Sequence, residues 1–314
     1  MENINYILSS HFDYSKMICD DAGPGYALRM GWKAHRLSHI ESRGPGPIVI
    51  DNRLTPNEFP IVRALVEAMS GSPIFLKIVD VRLDTIYQDY YRFVLALIRH
   101  PNVFLVGPYE KIHFTALAEE IAGRPLYTTV PYAYATEREV PAGGHRCARL
   151  FFSGALHPLI YPDRWRLHRR LQFIPLARLL FRRLGHPGYA DIGQRPRHSV
   201  VGNLYLQHAA SCLAMWVDGG SDKVELLKFS ECAYAGCAPV GVPASSLPPE
   251  ASRCVLPLPH GFEFSALLKL LRSPADLTTR AVAYRQAMRS ARSQERCNSI
   301  LREAWTNAYA SLPR

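Results

Sequence analysis

Lys228-Phe229-Ser230-Glu231-Cys232-Ala233-Tyr234-Ala235-Gly236-Cys237-Ala238-Pro239-Val240 is the stretch whose reading decides the fold. Lys228 and Glu231 stand three apart, on one face of a helix, and Cys232, Ala233 and Ala235 are small enough to admit a close neighbour. Gly236 is placed to end that helix, and Ala238-Pro239-Val240-Gly241-Val242 reads as a short buried strand. The stretch predicts a charged helix aimed at a cleft, followed by a core strand.

The flanking segments repeat the alternation. Upstream, 150–154 (Leu-Phe-Phe-Ser-Gly) reads as a buried strand entering a small-residue turn. Tyr161-Pro162-Asp163-Arg164 then opens a helix with Leu167, Leu171 and Ile174 on one face. Pro175 should break that helix, with a second helical piece running to Gly185. Residues 204–213 read as a helix, 214–217 as a strand, and Asp218-Gly219-Gly220-Ser221-Asp222 as a loop able to wrap a ligand with its backbone. Downstream come an apolar run at 254–258, a helix at 263–271 and helical spacing from 278 to 309.

The first half has the same grammar. Apolar runs at 4–9, 47–51, 73–80, 103–107 and 127–132 alternate with helical patterns at 26–32, 60–69, 87–100 and 112–122, which implies a parallel sheet. The polar loop at 10–25 lies where such a sheet opens its crevice, but it is no G-x-G-x-x-G. The polar, Gly- and Pro-punctuated stretch 136–145 marks a division, giving an N-terminal domain of 1–145 and a C-terminal domain of 146–314.

Composition narrows the function classes. Apolar residues make up 48% of the 314 positions and charged residues 20%, enough for two cores and unlike a disordered chain. The seven cysteines are odd in number and have no C-x-x-C spacing, which argues for reduced thiols over disulfides or a zinc site. No apolar run reaches membrane-spanning length, and the N-terminus lacks a signal pattern, so the expected location is cytoplasmic. Residues 1–147 carry 15 Lys and Arg against 16 Asp and Glu, whereas 148–314 carry 22 against 11. A basic second half attracts diphosphates, anionic membrane surfaces or nucleic acid.

The pattern K-x-x-E-x-x-A-x-G-x-P-V over 228–240 resembles the donor-sugar segment of glycosyltransferases with the GT-B architecture. The strand, Ser153-Gly154 turn and Y-P-x-R start resemble the opening of the C-terminal domain in group 1, spore-maturation-like and exostosin-like glycosyltransferases. This resemblance, strongest over 150–275, implies an α/β fold of two facing Rossmann-like domains, with a C-terminal helix crossing back to the first. It implies a nucleotide-sugar donor, UDP- or GDP-linked, as substrate, no cofactor and no metal. Glu231 would hold the donor ribose and Lys228 the diphosphate, with Ser153, Gly154 and Arg164 approaching the phosphates and Ser221 in the wrapping loop. Many retaining relatives carry a second glutamate where this chain has Lys223, which would instead meet phosphate.

Other readings stay open. Lys228 and Glu231 also fit a solvent-exposed ion pair. Arg164 also fits a basic surface shared with Arg166, Arg169, Arg170, Arg178, Arg182 and Arg183, which suits acidic lipids or nucleic acid. The base candidates are His11, after the first strand, and Asp80, ending another; Asp13, Asp20 and Asp21 are weaker competitors. The acceptor classes are a glycan, a lipid-linked glycan, a metabolite or a modified DNA base. A noncatalytic protein gripping nucleic acid or an acidic partner is the alternative.

Overall fold

Short runs such as Ile48-Val49-Ile50 and Ile74-Phe75-Leu76 have no polar face to offer water, so they are stable only with both sheet faces covered. In the computed structural model they lie at the centre of a six-stranded parallel sheet. The structure describes residues 3–17, 19–79, 88–110, 113–141, 146–186, 200–261 and 263–312. The chain folds as two units: Met1–Ala133 with Arg292–Arg314, and Tyr134–Ala291.

In the first unit the strands are β1 (Asn5–Leu8), β2 (Lys33–Arg36), β3 (Ile48–Ile50), β4 (Ile74–Lys77), β5 (Val103–Gly107) and β6 (Tyr127–Thr129), in the order β2-β1-β3-β4-β5-β6. The helices are α1 (Gly23–Met30), α2 (Phe59–Ala68), α3 (Gln88–Leu97) and α4 (His113–Ala122). The strand order reverses between β1 and β3, and ligands bind parallel sheets beyond the carboxyl ends at such a point. β2 has no counterpart among the predicted runs. Only one of its four side chains, His35, is buried, so an edge strand of Lys, Ala, His and Arg leaves no apolar signal.

The second unit has β7 (Cys147–Ser153), α5 (Pro162–Leu171), α6 (Ala177–Leu180), β8 (Phe181–Leu184), α7 (Gly202–Ala210), β9 (Cys212–Val217), α8 (Leu227–Ala235), β10 (Ala238–Gly241), α9 (Pro249–Ser252), α10 (Glu263–Leu271) and α11 (Pro274–Ala291). Its sheet is parallel, in the order β10-β9-β7-β8. Phe151, Met215 and Val217 face a core with α7, α8 and α11, while Leu150, Phe152, Ala214 and Trp216 face α5, α6 and α10. The helical piece expected to reach Gly185 stops at Leu180. Residues 181–184 pair instead with 150–153, because the open edge of β7 satisfies their backbone groups better than another helical turn. The run at 254–258 joins the sheet only through a bridge from Leu256 to Val240.

The helix of the decisive motif is α8. It buries Phe229, Ser230 and all of Cys232 to Ala235, and ends at Gly236 with φ +63°. Its last carbonyls are held by cations: Arg285 donates to Ala233 and Tyr234, and Arg146 to Ala235 at 3.0 Å. Positive charge at a helix C-terminus complements the negative end of its dipole, and as the crossover between parallel β9 and β10 the helix starts at the carboxyl end of the sheet.

The predicted single helix of 278–309 is two helices, because Ser293 breaks it by capping α12 (Gln294–Ala310). α12 belongs to the first unit. There Trp32 Nε1 donates to Asn298 Oδ1 at 2.7 Å, and Asn298 Nδ2 to the Met30 carbonyl at 3.1 Å. The chain leaves the first unit at Ala133, and Tyr134 is already packed on Tyr234, ring centroids 4.8 Å apart.

Candidate functional site

Three turns at the carboxyl end of the second sheet converge. β7 ends at Ser153, and Gly154 follows with φ +103°. A Cβ at Gly154 would lie 2.7 Å from Arg164 Nη1 and 3.0 Å from Lys228 Cε, so both the backbone angle and the space require glycine. β9 ends at Val217 and passes through Asp218-Gly219-Gly220 into the start of α8. There Leu226 caps the helix without a side-chain hydrogen bond. The Phe229 amide meets the cap carbonyl of Leu226 at 3.0 Å, while the Leu227 and Lys228 amides precede any carbonyl of the helix that could accept from them, which favours an anion at this end.

Lys228 is the hub. Its Nζ donates to Ser153 Oγ at 2.9 Å and to Tyr205 OH at 3.1 Å, and those two hydroxyls are 2.7 Å apart. Glu231 Oε2 stands 3.9 Å from the ammonium, with the Lys228 and Glu231 side chains 16% and 23% exposed. This is neither a solvated surface pair nor a sealed one. Burial pushes the Lys228 ammonium down to about 8; Glu231 opposes that shift and Arg164 adds to it. Burial, and then the charge of Glu231, push the Tyr205 hydroxyl far up, so it remains a proton donor.

Arg164 supports the site from below. Its Nε and Nη2 each meet an Asp218 oxygen at 3.0 Å, and both side chains are 2% exposed. Asp218 also accepts from Trp216 Nε1 at 2.6 Å and from the Gly220 amide at 3.1 Å. Arg164 Nη1 donates to the Ala155 carbonyl at 3.2 Å, and the guanidinium lies 4.2 Å from the Tyr161 ring. One buried pair thus fixes the turns at 153–155, 161–164 and 218–220.

Five of the predicted donor residues, Ser153, Gly154, Arg164, Lys228 and Glu231, are therefore gathered in one place. Ser221 and Lys223 lie exposed on the adjoining turn. The Ser221 amide donates to the Ile160 carbonyl, and Lys223, at φ +53°, offers its carbonyl to Ser245. Tyr205 and Asp218 carry as much of the geometry as the predicted residues. Nothing in the motif marks Tyr205, because α7 reaches the site only through packing on α8.

In the first unit His11 is exposed, and its amide donates to Ser9 Oγ at 3.1 Å. Asp80 lies outside the described residues. Asp13 caps a short turn, and Asp20 and Asp21 pair with Arg29 and Arg53. At the β1/β3 reversal the chain fills the crevice with its own groups. Asp51 accepts from Tyr6 OH, Tyr14 OH and the amides of Gly23 and Asn52. Lys77 lies against the Tyr26 ring and donates to the Asp21 carbonyl. Among the described residues no three His, Cys, Asp or Glu side chains cluster as metal ligands, and no helix is long and apolar enough to cross a membrane.

No protein-family model and no curated protein matches the sequence. Solved structures do match. T4 phage BGT, in complex with its UDP-glucose substrate, is similar over 98% of this chain and 99% of its own, with TM-score 0.59 and 9% identity. A structure of the DNA-modifying enzyme β-glucosyltransferase, with and without uridine diphosphoglucose, covers the same shares at TM-score 0.53 and 10% identity. TarM is similar over 83% of this chain and 54% of its own, at TM-score 0.50 and 12% identity. Coverage of nearly the whole of both chains, with two parallel sheets and flanking helices, gives this protein the GT-B glycosyltransferase fold.

Proposed function

We propose that the protein transfers a sugar from a nucleotide-diphosphate sugar, UDP- or GDP-linked, to an acceptor hydroxyl. The observation that carries the proposal is the Lys228 centre: a partly desolvated ammonium beside two hydroxyls, a carboxylate and an open helix N-terminus. A departing diphosphate needs positive charge that is already in place, and these groups supply it without reorganising. In this reading Lys228 and the first amides of α8 meet the phosphates and Glu231 accepts from the ribose hydroxyls. Ser153 and Tyr205 hold the ammonium, and transfer needs no metal. Arg164 acts through the turn it braces. The acceptor is a glycan, a lipid-linked glycan, a metabolite or a modified DNA base, and the proposal places the enzyme in the cytoplasm, with peripheral contact to anionic membrane.

Thermal-shift titration against UDP, GDP, ADP, TDP and CMP and their sugar conjugates tests the donor. At a hundredfold over Kd, one bound nucleotide should stabilise by about 2.7 kcal/mol. A chain stabilised by duplex DNA in a salt-sensitive way, and by none of the nucleotides, would instead be the noncatalytic binder. Glu231→Ala should weaken binding of the selected nucleotide by roughly 10- to 100-fold, the scale of a charged hydrogen bond, with the melting temperature of the free protein unchanged. Wild-type affinity in that variant would remove Glu231 from the ribose.

Asp80 is one proposed base and His11 the other. Ser9 Oγ bonds the His11 amide and donates to Glu58 Oε2 at 2.6 Å, so the loop that carries the imidazole is anchored. His11→Ala should lower kcat by about 100-fold or more and leave donor affinity unchanged. Unchanged turnover would eliminate it.

A further inference from the structure

Residues 164–186 contain seven arginines and two histidines and no aspartate or glutamate. Arg164, Arg166 and Arg170 are balanced by Asp218, Asp163 and Glu263. Arg182 and Arg183 are held differently, by neutral acceptors. Arg183 Nη1 meets His168 Nε2 at 2.6 Å, and Arg182 bonds His208 Nδ1 and, at 2.8 Å, Ser211 Oγ. Burial, then the adjacent guanidinium groups, lower the pKa of both imidazoles, so they accept without adding charge. A carboxylate in either place would cancel the arginine; a neutral ring holds it and leaves its field intact.

The same segment exposes large apolar side chains. Phe173, Leu176 and Leu179, three residues apart from the end of α5 into α6, are 72%, 64% and 61% exposed. Cation and apolar surface are interleaved. Arg183 reaches His168, and the next residue, exposed Arg169, lies 5.7 Å from the Trp165 ring and 5.8 Å from that of Phe173.

We propose that Arg169, Phe173, Leu176, Leu179 and Arg183 form a face that docks the protein on an anionic phospholipid bilayer, independently of the transfer reaction. The chemistry of both halves of the face selects this partner. Guanidinium groups suit lipid phosphates and nucleic-acid phosphates alike. Phe173, Leu176 and Leu179 gain nothing at a phosphodiester backbone, whereas at a bilayer they leave water for the acyl boundary while the arginines stay among the headgroups. Charge attracts and apolar burial holds, the two signals that stable peripheral attachment takes.

Co-sedimentation of the full chain with phosphatidylcholine vesicles, and with vesicles containing about a third phosphatidylglycerol, tests the face. The wild type should pellet with the anionic vesicles and stay in solution with the neutral ones. Arg169→Gln with Arg183→Gln should weaken binding about 30-fold, since each surface cation contributes roughly a factor of five. Phe173→Ser with Leu176→Ser and Leu179→Ser should weaken it at least ~10-fold. Wild-type binding in either variant, or equal binding to neutral vesicles, overturns the proposal. So does binding to duplex DNA that the arginine variant loses and the apolar variant keeps, which would make the face a nucleic-acid contact. All five side chains lie outside the Lys228 centre, so nucleotide-induced stabilisation should persist in both variants. Its absence in the wild type would count against the donor site and leave the vesicle result standing.

Discussion

Replacing Lys228 with methionine should weaken nucleotide-sugar binding by roughly 10- to 150-fold, the range for losing one charged hydrogen bond, and leave the protein at least as stable. The two halves of that expectation have one cause. A buried ammonium is maintained against desolvation, seen in its fall to about 8, and methionine removes the desolvated charge while filling similar space. Ser153 and Tyr205, 2.7 Å apart, continue to satisfy each other.

The pH dependence separates binding from stability. With an empty-site pKa of about 8, the ammonium is present below that pH, so wild-type donor affinity should fall as pH rises through it; in the methionine variant the profile should be flat. Stability moves the other way. Between about 8 and the ordinary lysine value near 10.4, the unfolded chain holds a proton that the folded chain has released, so folding strengthens as pH rises. Buried Lys77, also pushed down to about 8, contributes to that stability rise but not to donor binding. Isothermal titration of UDP from pH 6 to 9 checks the first effect. A wild-type profile as flat as the variant's would exclude Lys228 from the phosphate.

Arg164→Leu should destabilise the second unit by about 3 to 5 kcal/mol, because it strands the Asp218 carboxylate in a site that is 2% exposed. Trp216 Nε1 and the Gly220 amide would remain as its donors, too few for a buried charge. Arg164→Met combined with Asp218→Leu should recover most of the loss, since an apolar pair carries no desolvated charge. Hydrogen exchange of the β7 and β9 amides reads this unit directly. A loss below about 1 kcal/mol in the single variant would mean that water reaches the pair, and that Arg164 is free to meet a phosphate.

Much of the fold was legible because parallel strands buried on both faces write themselves as unbroken apolar runs. Residues 103–107 and 150–153 are examples. β2 and β8 were not legible. Both are edge strands, Lys33–Arg36 and Phe181–Leu184, whose pairing comes from an open neighbour and not from an apolar pattern. In the site, Lys228 and Glu231 were legible from their helical spacing beside Gly236, and Ser153-Gly154 from its place after a buried strand. Tyr205 was not, because its hydroxyl, 23 residues before Lys228 in the chain, enters the centre only once α7 and α8 pack.

The sequence by itself determined what depends on neighbours along the chain: the strand and helix alternation, the glycine stop of α8, the basic second half and the arginine run without acids. Only the tertiary structure decided what each charge does. It turned Arg164 inward onto Asp218, left Arg183 on a neutral histidine, and set the Lys228 ammonium between two hydroxyls and a carboxylate. Charge type is encoded residue by residue, but desolvation and pairing depend on groups tens of residues away, and these meet only when the sheet and its helices close around them.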